Sequence, residues 1–312
     1  METMAVVLEE PERFSLRSLD LADAGADDLV VEIDWSGIST GTEKLLWSGR
    51  MPPFPGLGYP LVPGYESVGR VIHAGANVCE RLGETVFVPG STGFIGARGL
   101  FGGAARRLVA PSARIAAISS GLAEKGVLLA LAATARHAIA AGDGTPPDLI
   151  IGHGVLGRLI ARIAVAMGAP PPVVWETNPL RRGGALGYAA MDPTEDERRD
   201  YRAIYDASGD ARLLDTLIGS LARGGEIVLA GFYDQPLSFS FPPAFMREAR
   251  IRVAAEWRPD DLGATVRMIE EGRLPLEGLI SHRSTPHDAA VAYRTAFTDQ
   301  TCLKMVLDWS GL

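Results

Sequence analysis

The sequence predicts an α/β protein with a β-rich first part and a second part built on a doubly wound parallel sheet. Three observations predict it. Up to about residue 120, short β-branched or alternating runs are separated by Gly and Pro. From about Leu122, helical patterns alternate with short apolar strands, as in βαβ units. A glycine-rich turn, from Gly152 to Gly157, joins one of these strands to the following helix.

Five runs in the first part predict strands, because they are short, β-branched or alternating, and bounded by turn residues. They cover residues 4–8, 29–35, 67–74, 85–89 and 104–109. Between the last two runs, a glycine stands at every third position from Gly90 to Gly102. Five such steps are too few for a collagen-like helix, so this segment is predicted to be a loop.

The second part reads as alternating strands and helices. Strands are predicted at residues 148–151, 173–176, 203–207 and 225–231, and helices at 128–141, 155–167 and 212–221. The tail is predicted to contain helices at 261–271 and 286–297, an extended stretch at 279–283 and a strand at 302–308. Periodicity alone leaves open whether this tail extends the parallel sheet or returns to the first part.

Composition excludes several classes of protein. The 312 residues carry a formal net charge of −8, which argues against nucleic acid as a partner. Two cysteines, Cys79 and Cys302, provide no disulfide framework, so a cytoplasmic location is expected. Charged residues interrupt the most apolar segments before they reach the roughly 20 apolar residues of a membrane span, although peripheral association with a membrane stays compatible with the sequence.

The turn G-H-G-V-L-G follows a predicted strand and opens a helix, and an acid, Glu176, ends the next strand about 20 residues later. The first glycine permits the tight turn, the second lets the backbone approach a pyrophosphate, and the third allows close helix packing. Glu176 is predicted to bind the adenosine ribose and to repel a 2′-phosphate, which favours NAD over NADP. Arg181 and Arg182 leave NADP open. The turn residues predicted to bind the cofactor are Gly152, His153, Gly154, Val155, Leu156 and Gly157.

With these motifs in hand, the chain resembles the medium-chain dehydrogenase/reductase superfamily over nearly its whole length. The resemblance rests on S-G-I-S-T-G-T-E at residues 36–43, P-G-Y-E at 63–66, the glycine-rich turn, D-A-S-G at 206–209 and R-G-G-E-I-V-L-A-G-F-Y at 223–233. It implies a GroES-like catalytic domain at 1–121 and 263–312, and a Rossmann NAD-binding domain at 122–262. It also implies a homodimer, by analogy alone.

The match is narrower still. The long segment from Ser36 to Glu66, together with A-T-A-R-H-A at 133–138 and W-E-T-N-P-L-R-R at 175–182, is similar to the 3-hydroxyethyl bacteriochlorophyllide a dehydrogenases. That resemblance implies NAD-dependent oxidation of the C3 1-hydroxyethyl group of a chlorin or bacteriochlorin to acetyl. Segments 51–60, 90–103 and 239–245 are expected to line a wide apolar cleft for this pigment, although ordinary loop packing explains them equally.

The ligands of the catalytic zinc are missing. In zinc-dependent members of the superfamily, a cysteine stands where this chain has Ser39 or Thr40, and a histidine where it has Tyr65. No cysteine lies near a third ligand position, and the four-cysteine structural zinc lobe is absent. Because tetrahedral zinc needs Cys, His or carboxylate ligands, the site is predicted to hold no metal.

Without zinc, another group must take the hydroxyl proton of the alcohol. Tyr65 is the leading candidate as a base, activated by a positive charge from Lys44 or from the oxidised nicotinamide, although it can equally be a spacer. Ser39 and Thr40 are candidates to relay the proton. His137 is a further candidate because histidine titrates near neutral pH, but a satisfied core histidine is the alternative.

Other residues have weaker claims on the site. Glu43 and Glu66 can accept charge or pair structurally with a nearby cation. The nicotinamide is expected to contact Thr134, on the helix before the glycine-rich turn, and Ala207, Gly231 and Phe232, where strands of the sheet end. Two alternatives remain for the function: a zinc-free quinone or enone reductase that consumes NAD(P)H, and a catalytically silent dinucleotide-binding redox sensor.

Overall fold

The computed structural model describes residues 1–53, 55–142 and 144–312. The described chain forms two compact units. The first comprises Met1–Ala130 and Leu276–Leu312, and the second comprises Leu131–Pro275. The domain limits inferred from the resemblance, 1–121 with 263–312 and 122–262, stay a prediction.

The regular elements are named in chain order. The strands are β1 (Glu2–Glu10), β2 (Arg13–Leu21), β3 (Asp28–Ile38), β4 (Ser67–Ala74), β5 (Thr85–Val88), β6 (Phe94–Ile95), β7 (Arg107–Pro111), β8 (Ala116–Ala117), β9 (Leu149–Ile151), β10 (Val173–Trp175), β11 (Ala189–Met191), β12 (Tyr201–Asp206), β13 (Leu221–Leu229), β14 (Arg250–Val253), β15 (His282–Ser284) and β16 (Met305–Asp308). The α-helices are α1 (Thr42–Trp47), α2 (Leu129–Ala140), α3 (Val155–Ala166), α4 (Leu214–Ser220), α5 (Phe241–Arg247), α6 (Pro259–Glu270) and α7 (Ala289–Thr298).

The first unit is built on two sheets. One has the strand order β1-β2-β6, and the other has the order β15-β16-β3-β4-β5-β8, with β7 also paired to β3. Strand β3 is the centre of the larger sheet because its eleven residues are long enough to pair with β4, β7 and β16. The apolar side chains of β3, β7 and α7 pack in one core, in which these elements are represented by Ile33, Leu108 and Phe297. The tail therefore returns to the first unit from Leu276 onward, whereas α6 belongs to the second unit.

The second unit is built on one parallel sheet of order β11-β10-β9-β12-β13-β14. The central strand β9 is wholly buried and wholly apolar, as expected of a strand covered on both faces. The order of the strands reverses between β9 and β12, and ligands of such sheets bind at the carboxyl ends beside that point. The predicted fold class, a β-rich part and a doubly wound parallel sheet, is confirmed.

Several elements were not predicted. Strand β2 has polar residues at five of its nine positions, its alternation breaks at Arg17 and Ser18, and its burial is mostly partial, so its apolar signal is weak. Strand β11 lies within a stretch that reads as polar helix and loop, and β14 contains two arginines in four residues. These strands form because neighbouring strands offer backbone partners, which local composition does not reveal. None of the described helices is long and apolar enough to cross a membrane.

Candidate active site

Tyr65 and Ser39 lie together next to the ends of two neighbouring strands, β3 and β4, in the larger sheet of the first unit. Ser39 follows β3 and Tyr65 comes just before β4, and these antiparallel strands pair Ser36 with Ser67. The Tyr65 hydroxyl is 2.6 Å from the Ser39 Oγ, and either oxygen can be the donor. The ring of Phe101, from the glycine-rich loop, packs edge-on against the Tyr65 ring at 5.0 Å between centroids. The structure thus joins two of the predicted catalytic residues in one hydrogen bond.

The surroundings of Tyr65 keep its phenol neutral. Burial raises the pKa of Tyr65 far above its ordinary value, the charges of Glu66 and Glu43 raise it further, and the hydrogen bond with Ser39 only partly opposes them. Lys44, predicted to activate Tyr65, donates from its ammonium group to the main-chain oxygen of Phe297 at 3.0 Å, and its catalytic role stays a prediction. The carboxylates near Tyr65 shift its pKa in the opposite direction from a cation. Tyr65 is therefore a neutral hydroxyl group here.

Glu43 lies in the first turn of α1 and is 1% exposed. Its Oε1 accepts a hydrogen bond from the Ser39 amide at 2.9 Å, whereas its Oε2 has no hydrogen-bond partner among the described residues. Burial raises the pKa of Glu43 to about 8, against the opposing effect of the Ser39 amide. The hydroxyl of Tyr293 is also buried without a hydrogen-bond partner in the described chain, and burial and then Glu43 raise its pKa. Thr40, half-buried, lies in the turn before α1.

Glu66 is neutralised by a lysine from the far end of the chain. The Lys304 ammonium donates to the two carboxylate oxygens at 2.6 and 2.9 Å and to the Ile38 carbonyl at 3.2 Å. Both side chains are almost completely buried, at 1% exposure or less. An ion pair of Glu66 with a nearby cation was predicted as one alternative, but Lys304 was not predicted to be that cation. No local signal connects two residues 238 positions apart.

The residues of this site do not fit zinc. Ser39 and Tyr65 stand where the zinc family has ligands, but they are hydroxyl groups bonded to each other. The Glu66 carboxylate is already bound to an ammonium group. Within residues 1–53, 55–142 and 144–312, no three His, Cys, Asp or Glu side chains are arranged to hold a metal ion. Zinc requires anionic or imidazole ligands, so no step below runs through a metal.

The glycine-rich turn of the second unit has the backbone of a nucleotide-binding loop. Gly152 directly follows β9 and has a φ of +90°, a conformation that L side chains rarely adopt. A Cβ on Gly157 would lie 1.9 Å from the Gly152 oxygen, so only glycine permits this close approach of helix and strand. Gly154 is the N-cap of α3 without a side-chain cap, and Val155 and Leu156 form the first turn. The amides at this helix start are therefore oriented for an anion.

Glu176 and His153 connect this turn to the loop that follows β10. The Glu176 carboxylate accepts hydrogen bonds from the His153 amide at 2.9 Å and the Asn178 amide at 2.8 Å. His153 is wholly buried, and burial, with the nearby Arg158, lowers its pKa to about 4. Its Nδ1 lies 2.7 Å from the Arg181 carbonyl and must be the protonated nitrogen, so Nε2 accepts from the Tyr188 hydroxyl at 2.8 Å. His153 thus fixes the loop from within.

Three of the four residues predicted to contact nicotinamide, Ala207, Gly231 and Phe232, lie just after the carboxyl ends of β12 and β13. The Gly231 amide donates to the Asp206 carbonyl at 2.9 Å, which brings Gly231 beside Ala207. The Asp206 carboxylate accepts from the Ser208 amide and the Tyr233 hydroxyl, both at 2.8 Å, and so holds the D-A-S-G turn in shape. Phe232 follows with its ring 44% exposed. Thr134 lies half-buried on α2. No sequence pattern predicted that Asp206 and Tyr233 hold this turn together through a hydrogen bond.

His137 is held by an acid of its own unit. Its Nδ1 lies 2.8 Å from Asp261, whose carboxylate also pairs with Arg136 and accepts from the Arg258 amide at the start of α6. Burial opposes ionisation of Asp261, but the Arg258 amide and His137 lower its pKa on balance. This contact fastens α2 to α6 and favours the satisfied core histidine that the sequence analysis left as the alternative. A catalytic role of His137 stays a prediction.

The segments expected to line a pigment site differ in their packing. In segment 51–60, Met51 packs into a small core with Leu46, Leu61 and Leu100, and Phe54 lies outside the described residues. In segment 239–245, the rings of Phe241 and Phe245 are about two-thirds exposed, in a groove beside β14. The loop 90–103 supplies Phe101 to Tyr65 and is therefore the segment with a direct tie to the candidate catalytic residues.

Comparison with known proteins gives full-length matches. No protein-family model matches the chain. It is 58% identical to the 2-desacetyl-2-hydroxyethyl bacteriochlorophyllide A dehydrogenase of Rhodobacter capsulatus, and 56% identical to the enzyme of that name from Cereibacter sphaeroides, over 99% of this chain and of each relative. Among solved structures, it is similar to an Escherichia coli short chain alcohol dehydrogenase complexed with NADH (TM-score 0.85, 20% identity, 99% of both chains). It is also similar to 2R,3R-butanediol dehydrogenase from Bacillus subtilis (TM-score 0.85, 18% identity, 99% of this chain and 100% of that one).

Proposed function

The chain belongs to the family of 2-desacetyl-2-hydroxyethyl bacteriochlorophyllide A dehydrogenases, and from this membership we propose that it oxidises the C3 1-hydroxyethyl group of a chlorophyllide or bacteriochlorophyllide to acetyl, with NAD as the hydride acceptor. One observation carries the proposal, namely 58% identity to a dehydrogenase of that name over 99% of both chains. The nucleotide-binding geometry of the second unit supports it, since a hydride acceptor must be bound for the reaction to occur.

The reaction separates a hydride from a proton. The carbinol carbon loses a hydride, its oxygen loses a proton, and the products are a ketone, NADH and a proton. Bound NAD supplies the acceptor for the hydride. The residues of this chain must then hold the alcohol oxygen, accept its proton and pass the proton on.

The hydroxyl groups of Tyr65 and Ser39 fit that task, with Tyr65 acting as a neutral hydrogen-bond partner and not as the predicted base. A phenol with a raised pKa is a poor base but a good hydrogen-bond partner, so the neutral Tyr65 hydroxyl holds the alcohol oxygen. As the alcohol proton moves to Tyr65, the phenol releases its own proton to Ser39, 2.6 Å away, and Ser39 releases its hydroxyl proton in turn toward the half-buried Thr40 and solvent, so that both residues end neutral. Thr40 offers a second hydroxyl in the same turn. Phe101 supplies an apolar wall that excludes water from the phenol.

The second unit supplies the residues for NAD. The turn Gly152–Gly157 takes the pyrophosphate at the N-terminus of α3, and Glu176 takes the ribose hydroxyls. Thr134, Ala207, Gly231 and Phe232 are proposed to surround the nicotinamide. The Glu176 carboxylate fits a ribose, since each oxygen accepts one amide hydrogen bond and has capacity for another.

The assembly is proposed to be a cytoplasmic homodimer. Strand β14 is the outermost strand of its sheet, with Val253 72% exposed and Ile251 37% exposed. Beside it, Phe245 and Met246 on α5 are 66% and 71% exposed. An apolar surface along a sheet edge fits a second copy of the same strand in antiparallel pairing, because a two-fold axis brings one patch against itself.

The decisive experiment is to incubate the purified protein with NAD and a bacteriochlorophyllide that carries the hydroxyethyl group. We expect the absorption band of the pigment to shift while NADH absorption rises in equal molar amount. A protein that instead reduces a quinone with NADPH and leaves the pigment unchanged would be a reductase. Tight NAD binding without turnover of alcohol, ketone or quinone would indicate a silent binding protein.

Tyr65→Phe tests the proposed role of the phenol. Removing the hydroxyl breaks the path from substrate oxygen to Ser39, so kcat should fall by about 10²-fold or more. Tyr205→Phe is the matched control, because that hydroxyl donates to the Thr145 carbonyl of the second unit. Steady-state rates of both variants with the pigment and NAD make the comparison. A Tyr65→Phe enzyme as fast as the wild type would remove Tyr65 from the mechanism.

A further inference from the structure

The loop after Glu176 carries two arginines beside the proposed ribose site. An arginine in this position is the group that a 2′-phosphate of NADP needs, because a guanidinium binds phosphate through paired hydrogen bonds. The preference for NAD over NADP therefore depends on which groups the Arg182 guanidinium binds in the structure.

Arg182 is already bound to its own loop. Its Nε donates to the Glu176 carbonyl at 2.9 Å, and its Nη2 donates to the Thr177 carbonyl at 3.1 Å. The same Nη2 forms an ion pair with the carboxylate of Asp192. Both side chains of the pair are about one-quarter exposed. The guanidinium is thus turned onto protein acceptors.

The main chain around Arg182 is fixed on both sides. The buried Arg158 donates to the Arg181 carbonyl and to the Gly183 carbonyl, both at 2.8 Å. His153 also donates to the Arg181 carbonyl. Because these contacts hold the backbone, Arg182 can reach a new ligand only if its side chain rotates away from Asp192.

Asp192 occupies its position because of the sheet. It directly follows β11, whose residues pair with β10, and the Glu176 amide donates to the Met191 carbonyl at 2.9 Å. Glu176 and Asp192 therefore stand at the ends of adjacent parallel strands, with Arg182 bonded to both residues. The Asp192 carboxylate is oriented by the Thr194 amide at 3.0 Å and the Thr194 hydroxyl at 2.6 Å. The Thr194 hydrogen bonds, with Arg182, lower the pKa of Asp192, which keeps it charged at neutral pH.

We propose that Asp192 is a specificity-determining residue, which holds Arg182 in an ion pair and so prevents it from binding the 2′-phosphate of NADP. The inference rests on the proposed function, since it concerns the same nucleotide site. Asp192 acts by competing with a phosphate for the guanidinium of Arg182.

The test measures the Kd of NADH and of NADPH separately, from the fluorescence of the reduced nicotinamide. The variant is Asp192→Asn, which keeps an oxygen for the Thr194 amide and removes the charge. We expect the ratio of the NADPH Kd to the NADH Kd to fall by about tenfold or more, while the NADH Kd changes by less than about threefold. A merely structural role would weaken both nucleotides alike.

Two further variants identify the cause. In Arg182→Gln/Asp192→Asn the gain for NADPH should vanish, because the released guanidinium is gone. Asp200→Asn changes the net charge equally at an exposed aspartate paired with Arg198, and it should leave the ratio unchanged. The inference is overturned by an unchanged ratio in Asp192→Asn, by a gain that persists in the double variant, or by an equal gain in Asp200→Asn. A wild type that binds neither nucleotide overturns the proposed cofactor and this inference together, whereas NADH binding with an unchanged ratio overturns the inference alone.

Discussion

Glu43 shows how a single buried side chain connects the active site to pH. Its carboxyl group has one oxygen bonded to the Ser39 amide and one without a hydrogen-bond partner among the described residues. Burial without full hydrogen bonding disfavours the ionised form, which is why the pKa rises to about 8. At neutral pH the folded protein therefore holds this carboxyl group mostly as the neutral acid.

Replacing Glu43 with Gln should change the pH dependence of stability. An unfolded carboxyl group titrates near 4.5, so between about pH 4.5 and 8 the folded state binds a proton that the unfolded state has lost. The stability contributed by this protonation is full below 4.5 and is lost as pH rises toward 8. Between about pH 4.5 and 8, the free energy of unfolding of the wild type should thus fall by a few kcal/mol relative to that of Glu43→Gln. It should fall no further above pH 8.

Urea unfolding of both proteins at pH 5, 7 and 9 measures this difference. Glu195→Gln, a change of the same kind at an exposed turn residue, is the control and should follow the wild type. A constant difference between Glu43→Gln and the wild type at every pH would show that Glu43 titrates normally in the folded state.

Lys304→Met should be strongly destabilising. It leaves Glu66 buried at 0% exposure without its counter-ion, and breaking a buried ion pair in this way costs about 3–5 kcal/mol. Adding Glu66→Gln removes the uncompensated charge, so the double variant should recover most of the loss. The free energies of unfolding of the two single variants and the double variant test this coupling. If the losses simply add, the ion pair does not exist in solution.

The sequence predicted some of the site and not the rest, for a physical reason. Ser39 and Tyr65 were identified because each lies in a motif of adjacent residues, and their hydrogen bond follows from the pairing of two neighbouring strands. Burial, Glu66 and Glu43 raise the pKa of Tyr65, and these two acids are themselves influenced by the tail residues Lys304 and Tyr293. Such long-range contacts leave no local pattern, so the direction of the pKa shift was not foreseeable.

At the scale of elements, the turn between β9 and α3 tolerates little change. Gly157→Ala places a Cβ 1.9 Å from the Gly152 oxygen, so α3 must move away from the end of β9. Such overpacking costs about 1–3 kcal/mol of stability. Because the displaced helix start no longer presents its amides to the pyrophosphate, NADH affinity should fall by about tenfold or more.

A second glycine gives the matched control for this prediction. Gly219 lies within α4, and a Cβ there meets no atom within 4 Å. Gly219→Ala should therefore preserve NADH binding and stabilise the protein by about 0.5–1 kcal/mol, since alanine is the better helix former. Fluorescence titration with NADH and thermal unfolding of both variants provide the comparison. Equal effects of the two substitutions would contradict the close approach at Gly157.

The elements that sequence patterns predicted best are those with a complete apolar signal. Strand β9 is wholly apolar and wholly buried, and α3 buries nine of its twelve residues. Edge strands β11 and β14 were missed because a strand with one partner needs fewer apolar residues, and β14 even contains Arg250 and Arg252. Strand assignment at a sheet edge depends on the neighbouring strand more than on local composition.

At the scale of the whole molecule, the proposed dimer depends on the apolar edge of the second unit. Val253→Asp places a charge on the most exposed apolar residue of β14, so it should convert a dimer into a monomer. Val291→Asp makes the same change at a valine that is 63% exposed on α7, and it should leave the dimer intact. Light scattering after size-exclusion chromatography gives the mass of each variant. A monomeric wild type, or dissociation by both variants, would rule out this interface.

The chain path itself imposes an order on the making of the protein. The first unit contains Met1–Ala130 but is completed only by Leu276–Leu312, where β16 joins β3 and Lys304 reaches Glu66. During synthesis, Met1–Ala130 is therefore made before the second unit but completes its fold after it. Glu66 has no counter-ion until Lys304 has been added. The six-stranded sheet, encoded in one continuous stretch, can assemble meanwhile. Until then, residues 35–38 of β3 lack β16, the strand that pairs with them in the finished sheet.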